Sequence, residues 1–406
     1  MEGSASGHGA GWPLPNVIDS ALHAALHRSG LGEKAHKHTV GRSSSPRDYD
    51  DPSQRTRFFG SLKSSGPFPV NPDGSWFFPR PADADANGKS ITSHRPLLEL
   101  PLVSGSSLPP GLKPVVNTLP PSKDKAESWL SAQAYQAYLN ESASPSKEHF
   151  LNDQEIFAAE HNIGIGIDTA TGAQDGVSFY SASYLRLLPD WSIGLVASCQ
   201  DKGAGDLIAE TFSNSGHANH ILTGGQQRSC TVYRTQPDCL PLPKATEITG
   251  NLVRWTLLTP AIFPKLEGSH QHPGGWLPTW ISPANHEVQL LDGPGINAAK
   301  RRDLEPGKRI QATLVAAIVP SAISVTGWSL GKSNEREFGA KSTHLAVPAG
   351  AVYYFECSDE KAAQNLARAL NWHGASEGTE IQNRRSSLLG EKGFGLGVCS
   401  NFTFHH

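Results

Sequence analysis

Four of the eight residues from Gly390 to Gly397 are glycine, and a backbone written this way admits positive φ and close approaches that side chains forbid. The segment is a loop built for backbone contact. Arg384 and Arg385 precede it, and Lys392 lies inside it. Peptide N–H groups in such a loop can form a concave anion site, and fixed cations beside it make a phosphate backbone the natural guest. The same glycines, Gly393, Gly395 and Gly397, also suit a bulged strand or tight hairpin entering Val398–Phe402. Both readings stand at the level of sequence.

Forty glycines and 30 prolines in 406 residues break the chain into short elements, which argues against a helical bundle. The length exceeds what one hydrophobic core usually serves; the expected division is into residues 1–185 and 186–406. The net charge of −3 supplies no overall attraction to nucleic acid, so any phosphate binding rests on clustered cations. Five cysteines form no C-x-x-C pair and give an odd total, which argues against a disulfide framework and fits a reducing, cytoplasmic setting. No apolar run is long enough to cross a membrane, and the first residues carry no charged-then-apolar leader. The expectation is a protein neither secreted nor membrane-embedded.

Helical spacing of Val17, Ile18, Ala21, Leu22, Ala25 and Leu26 predicts a first helix. A polar, basic stretch over 34–57 reads as a loop or as an arm that orders on RNA. Aromatic runs on either side of Pro72-Asp73-Gly74 predict two short strands around a turn. An apolar face over Lys125–Leu139 predicts a second helix, and Glu360–Trp372 carries the clearest amphipathic pattern. Strict alternation over Ile163–Ile167, with runs near Tyr184–Leu188, Trp191–Ala197, Val253–Phe263, Arg309–Ile318 and Val352–Glu356, predicts strands of antiparallel sheets. The order of elements suits two α+β units. His217, His220, Cys230 and Cys239 match no common zinc spacing; no metal and no cofactor are expected.

Several stretches, taken together and in order, resemble the third subunit of the Cmr effector complex of type III-B CRISPR systems, a Cas5-like branch of the RAMP superfamily. They include Trp12-Pro-Leu-Pro15, Phe59-Gly60-Ser-Leu62, Phe77-Phe78-Pro79-Arg80-Pro81-Ala82-Asp83, Ile163-Gly-Ile165-Gly-Ile167-Asp168 and Tyr184-Leu-Arg186-Leu. Further along come Leu222-Thr-Gly224-Gly225-x-x-Arg228, Thr259-Pro260-Ala-Ile-Phe263, Val347-Pro348-Ala-Gly350 and Gly390-Glu-Lys-Gly393-Phe394-Gly395. The resemblance implies two ferredoxin-like (RRM-like) domains with antiparallel sheets and long loop insertions, and no catalytic centre. It also implies that the chain holds the 5′ tag of the CRISPR RNA and joins the large polymerase-like subunit to the RNA-coating backbone subunit. Gly224, Gly225 and Arg228, with the loop from Gly390 to Gly397, would face the tag, and Phe394 would stack on a splayed base.

Where the family pattern opens with a β-strand, none is visible before the Pro-containing helix here; that strand is expected to be missing or supplied by another segment. Gln226 stands where an acidic residue is common, and His161 where an Arg is common. The competing activity is a metal-independent endoribonuclease of RAMP type cutting repeat RNA, with general acid–base candidates His217, His220, His270 and His272.

Overall fold

In a computed structural model the described residues are 4–7, 11–29, 62–84, 92, 94–99, 107–120, 126–142, 146–201, 205–213, 219–224, 228–235, 237–268, 271–291, 309–329 and 339–406. The architecture is mixed and mostly strand, with few helices. In chain order the principal elements begin with β1 (Ser4–Gly7), α1 (Pro15–Arg28), β2 (Leu62–Val70), β3 (Phe77–Pro79), β4 (Trp129–Ser131), α2 (Ala132–Leu139) and β5 (Phe150–Leu151). There follow β6 (Phe157–Ile167), β7 (Gln174–Leu187), β8 (Ser192–Asp201), α3 (Leu207–Thr211), β9 (Asn219–Thr223) and β10 (Arg228–Val232). The last are β11 (Leu252–Leu257), β12 (Ala312–Ile318), β13 (Val352–Cys357), α4 (Glu360–Leu370) and β14 (Gly397–Ser400).

The predicted first helix forms, and it buries Ile18, Ala21, Leu22, Ala25 and Leu26. These side chains, Ile18 apart, share a core with Leu62, Cys199, Leu207, Phe212 and Ile221, so α1 lies over β2, β8 and the β9–β10 hairpin. β2 pairs antiparallel with β8, from Leu62 opposite Cys199 to Val70 opposite Ser192. The predicted division at residue 185 lies between these two strands in the chain. A cut there falls inside β7, and it would separate β2 from its partner strand. A short strand, β1, precedes the helix where none was visible in the sequence, and it pairs parallel with β7.

β6 and β7 form a long antiparallel hairpin with Ile163, Ile165 and Ile167 exposed at 70%, 53% and 63%. The predicted alternation is therefore correct, although the apolar positions face outward. Its base is set by Trp129, Ile156, Phe157, Leu187 and Trp191.

The second helix is shorter than predicted. Trp129 and Leu130 pair with Pro79 and Phe78 as strand β4, and Ser131 then starts α2 by accepting the Ala134 N–H. Around the predicted turn, Gly74 takes φ +82° and the Asn71 side chain accepts the Ser75 N–H. The basic stretch 34–57 lies outside the described residues.

The second large core sits under an antiparallel sheet of order β12-β13-β11-β14. Val253, Trp255, Leu257, Leu314, Tyr353 and Phe355 line it, and α4 closes it with Ala363, Leu366, Ala367 and Leu370. Asp359 caps α4 by accepting the Ala362 N–H at 2.8 Å. All five cysteines are free. Among the described residues no helix is long and apolar enough to cross a membrane.

Candidate nucleic-acid interface

The glycine loop is held mainly by its own chain. Leu389 and Gly393 bracket a short 3-10 turn at φ 57° and 92°. Within and around it, the Lys392 and Phe394 amides donate to the Leu389 carbonyl, the Gly393 amide to Gly390, and the Gly395 amide to Pro260 at 2.7 Å. Four of the N–H groups expected to cradle an anion are thus already bonded. A Cβ at Gly393 would meet the Ser64 carbonyl at 2.9 Å, so that glycine lets the loop seat directly on β2.

The cations of the loop also turn inward. Lys392 Nζ lies 3.5 Å from Asp19 Oδ2 on α1, and Asp19 accepts a further hydrogen bond from Ser64 Oγ at 3.1 Å. Burial raises the Asp19 carboxyl above its ordinary range, and the Lys392 charge partly offsets that. Arg385 Nε donates to the Ala369 carbonyl near the C-terminal end of α4, and its Nη2 to Asn383. Arg384 is half-buried, and burial pushes its guanidinium down to about 10. Phe394 is fully buried and packs with Ile262, Val325 and Ala346. The ring expected to stack on a splayed base is enclosed by these side chains.

The Gly224–Arg228 turn is arranged differently. Thr223 and Arg228 close the ladder of the β9–β10 hairpin, Gly224 takes φ +70° with open space where a Cβ would stand, and Gly225 lies outside the described residues. Arg228 is exposed. Its guanidinium carbon sits 4.3 Å from the centre of the Tyr184 ring on β7, a cation–π contact between two separately hydrogen-bonded hairpins. Opposite Tyr184 on β6 is Glu160, which pairs with Arg186 at 3.1 Å. α1 touches both candidate elements, the loop through Asp19 and the hairpin through the packing of Ile221.

The sequence reading named Gly224 and Arg228 without their aromatic support, because Tyr184 read only as part of a strand. Nor did it find Asp19, a lone acid on a helix with no local mark of its partner.

The two described histidine candidates, His220 and His272, serve separate contacts. His272 is buried, its Nε2 donating to the Ile281 carbonyl at 2.9 Å and its Nδ1 accepting the Gly274 N–H at 2.9 Å. Both ring nitrogens are engaged in holding the Gly274–Gly275 turn, and desolvation lowers the proton affinity of the ring. His220 sits with Nδ1 3.5 Å from the Thr231 hydroxyl, and His217 and His270 lie outside the described residues. Among the described residues no group of three or more His, Cys, Asp or Glu side chains could hold a metal ion.

The family model described as CRISPR-associated protein (Cas_Cmr3) matches residues 4–399. The chain belongs to the Cas_Cmr3 family. It is accordingly a Cmr3-like component of a type III CRISPR effector complex. No curated protein matches it. Among solved structures, it is similar to a chain of a type III-B Cmr-beta complex bound to cognate target RNA and AMPPnP. That pair is 13% identical with a TM-score of 0.38, over 86% of this chain and 79% of the other. A chain of the type III-B Cmr-beta complex bound to cognate target RNA gives 14% and 0.36, over 84% and 75%. A chain of a Csm3-Csm4 subcomplex of the type III-A interference complex gives 9% and 0.33, over 85% and 87%.

Proposed function

We propose that this Cas_Cmr3-family chain is a non-catalytic RNA-binding subunit that holds the 5′ tag of the CRISPR RNA and joins the large polymerase-like subunit to the RNA-coating backbone subunit. Within the reading, Gly224, Gly225 and Arg228 take the tag. The rim of the glycine loop, through Gly390 and Lys392, supplies a second contact, while Arg384, Arg385, Gly393, Phe394 and Gly395 shape that rim from beneath. The observation that carries it is the exposed Arg228 guanidinium at the end of a two-stranded ladder, with open space where a Cβ on Gly224, across the ladder's end, would stand. The site asks only for backbone amides, a fixed cation and access, which is what gripping single-stranded RNA requires.

The strand order β12-β13-β11-β14, with α4 joining β13 to β14, supports reading the second unit as ferredoxin-like. The first unit is read as extending through β10, since β8, β9 and β10 all pack with α1 and β2.

The test is photo-crosslinking in the assembled effector complex, loaded with guide RNA carrying thiouridine in its 5′ tag. Crosslinks from the tag to peptides containing residues 219–235 and 384–395 are expected. Tag crosslinks confined to other subunits would overturn the assignment.

A further inference from the structure

We propose that Tyr184 is a positioning residue for Arg228, a platform that fixes the guanidinium so that its edge donors meet an RNA phosphate; the inference rests on the tag-holding reading above. The stack is 4.3 Å from guanidinium carbon to ring centre, and it uses the face of the cation only. All five N–H donors of an arginine lie in the guanidinium plane and point outward from its edge, so stacking leaves them available for a bidentate phosphate contact.

Three further features fit a platform rather than incidental packing. The two residues come from different hairpins, β7 and β10, which share no ladder. Tyr184 is half-buried while Arg228 is exposed, so the ring is the fixed partner and the cation the presented one. Among the described residues, the carboxylate across the ladder from Tyr184, Glu160, is engaged by Arg186 at 3.1 Å and not by Arg228. An exposed arginine otherwise loses considerable rotamer freedom on binding; holding it beforehand lessens that cost.

The experiment measures binding of labelled single-stranded guide RNA, with its 5′ tag, to the full chain and to the assembled complex across a salt series. Tyr184→Leu is expected to weaken binding about 2- to 5-fold, the range of an exposed cation–π contact, with the salt slope unchanged. Tyr184→Phe keeps the ring and is expected to bind as the parent does. Arg228→Lys keeps the charge without the planar fork, and is expected to lose affinity at an unchanged slope. Arg228→Ala is expected to lose more and to reduce the slope by about 0.7, the share of one phosphate contact on a single strand.

If Arg228→Ala weakens binding while Tyr184→Leu does not, arginine contacts RNA without its platform and the inference fails, the tag reading surviving. If Arg228→Ala changes nothing, the hairpin is not a tag contact and both fall. Should Tyr184→Leu fail to fold, the Arg228→Lys variant decides alone, and parental affinity in it would overturn the proposal.

Discussion

Arg254 and Asp83 are both fully buried, yet every side of the pair is answered. Arg254 Nη1 lies 3.2 Å from Asp83 Oδ2, Nε donates to Ser400 Oγ at 2.9 Å, and Nη2 to the Tyr138 carbonyl at 3.2 Å. Asp83 also accepts the Tyr138 hydroxyl at 2.7 Å and the Tyr354 hydroxyl at 2.9 Å. Burying a charge is costly unless it is paired and hydrogen-bonded, and removing one partner typically costs about 3–5 kcal/mol, because the other is left stranded. Arg254→Met is therefore expected to lower stability by about that amount in denaturant unfolding, while adding Asp83→Leu should recover part of the loss. A single variant within about 1 kcal/mol of the parent would mean that water reaches Asp83 and takes over the solvation. This site was illegible in the sequence. Arg254 looks like any arginine at the start of an apolar strand, and its acid is 171 residues away in the chain; nothing local links the two.

At the scale of elements, the glycine run shows how much a sequence can give. Its composition correctly required positive φ and close approach, which Gly393 and Gly395 provide at 92° and 80°. What closes on those glycines could not be read, because conformational freedom says nothing about its occupant. The occupants are β2 under Gly393 and the Ser386 backbone beside Gly395. Gly395→Ala would place a methyl group against the Ser386 amide from a conformation that L side chains avoid. A loss of about 1 kcal/mol or more is expected, with faster hydrogen exchange at the amides of residues 392–395 as the loop lifts from β2. Parental stability and exchange would show that the turn absorbs the methyl group by a local shift. Periodicity served the elements unevenly for a related reason. It placed α1 and α4 well, where one face meets one core. It over-extended α2 because Trp129 and Leu130, apolar at helical spacing, are buried as strand residues against Phe78 and Pro79.

Across the whole molecule, the C-terminal loop is seated on the first helix, so the two ends of the chain meet at the second contact proposed for RNA. Pairing between β2 and β8 is long-range and leaves no compositional break, so nothing in the sequence shows that a cut at 185 would part the two strands. The cation that the sequence singled out in the loop, Lys392, is held by Asp19, whose side chain is only 8% exposed against 34% for the lysine. A partly exposed ion pair of this kind contributes little to stability, about 0–1 kcal/mol, yet it decides where the positive charge points. With a net charge of −3, no general field compensates for a cation turned inward. RNA binding at the loop then requires a phosphate to take the place of Asp19, and the carboxylate competes with the ligand. Asp19→Asn keeps the shape of the side chain and removes that competition. It is expected to tighten binding of tagged guide RNA about 2- to 3-fold, and to steepen the salt dependence by about 0.7 as Lys392 joins the phosphate contacts. Asp19→Asn combined with Lys392→Ala should abolish both gains. Were Asp19→Asn to leave affinity and slope at the parental values, Lys392 would be a clasp between loop and helix only, and the tag would be gripped at the Arg228 hairpin without help from the loop.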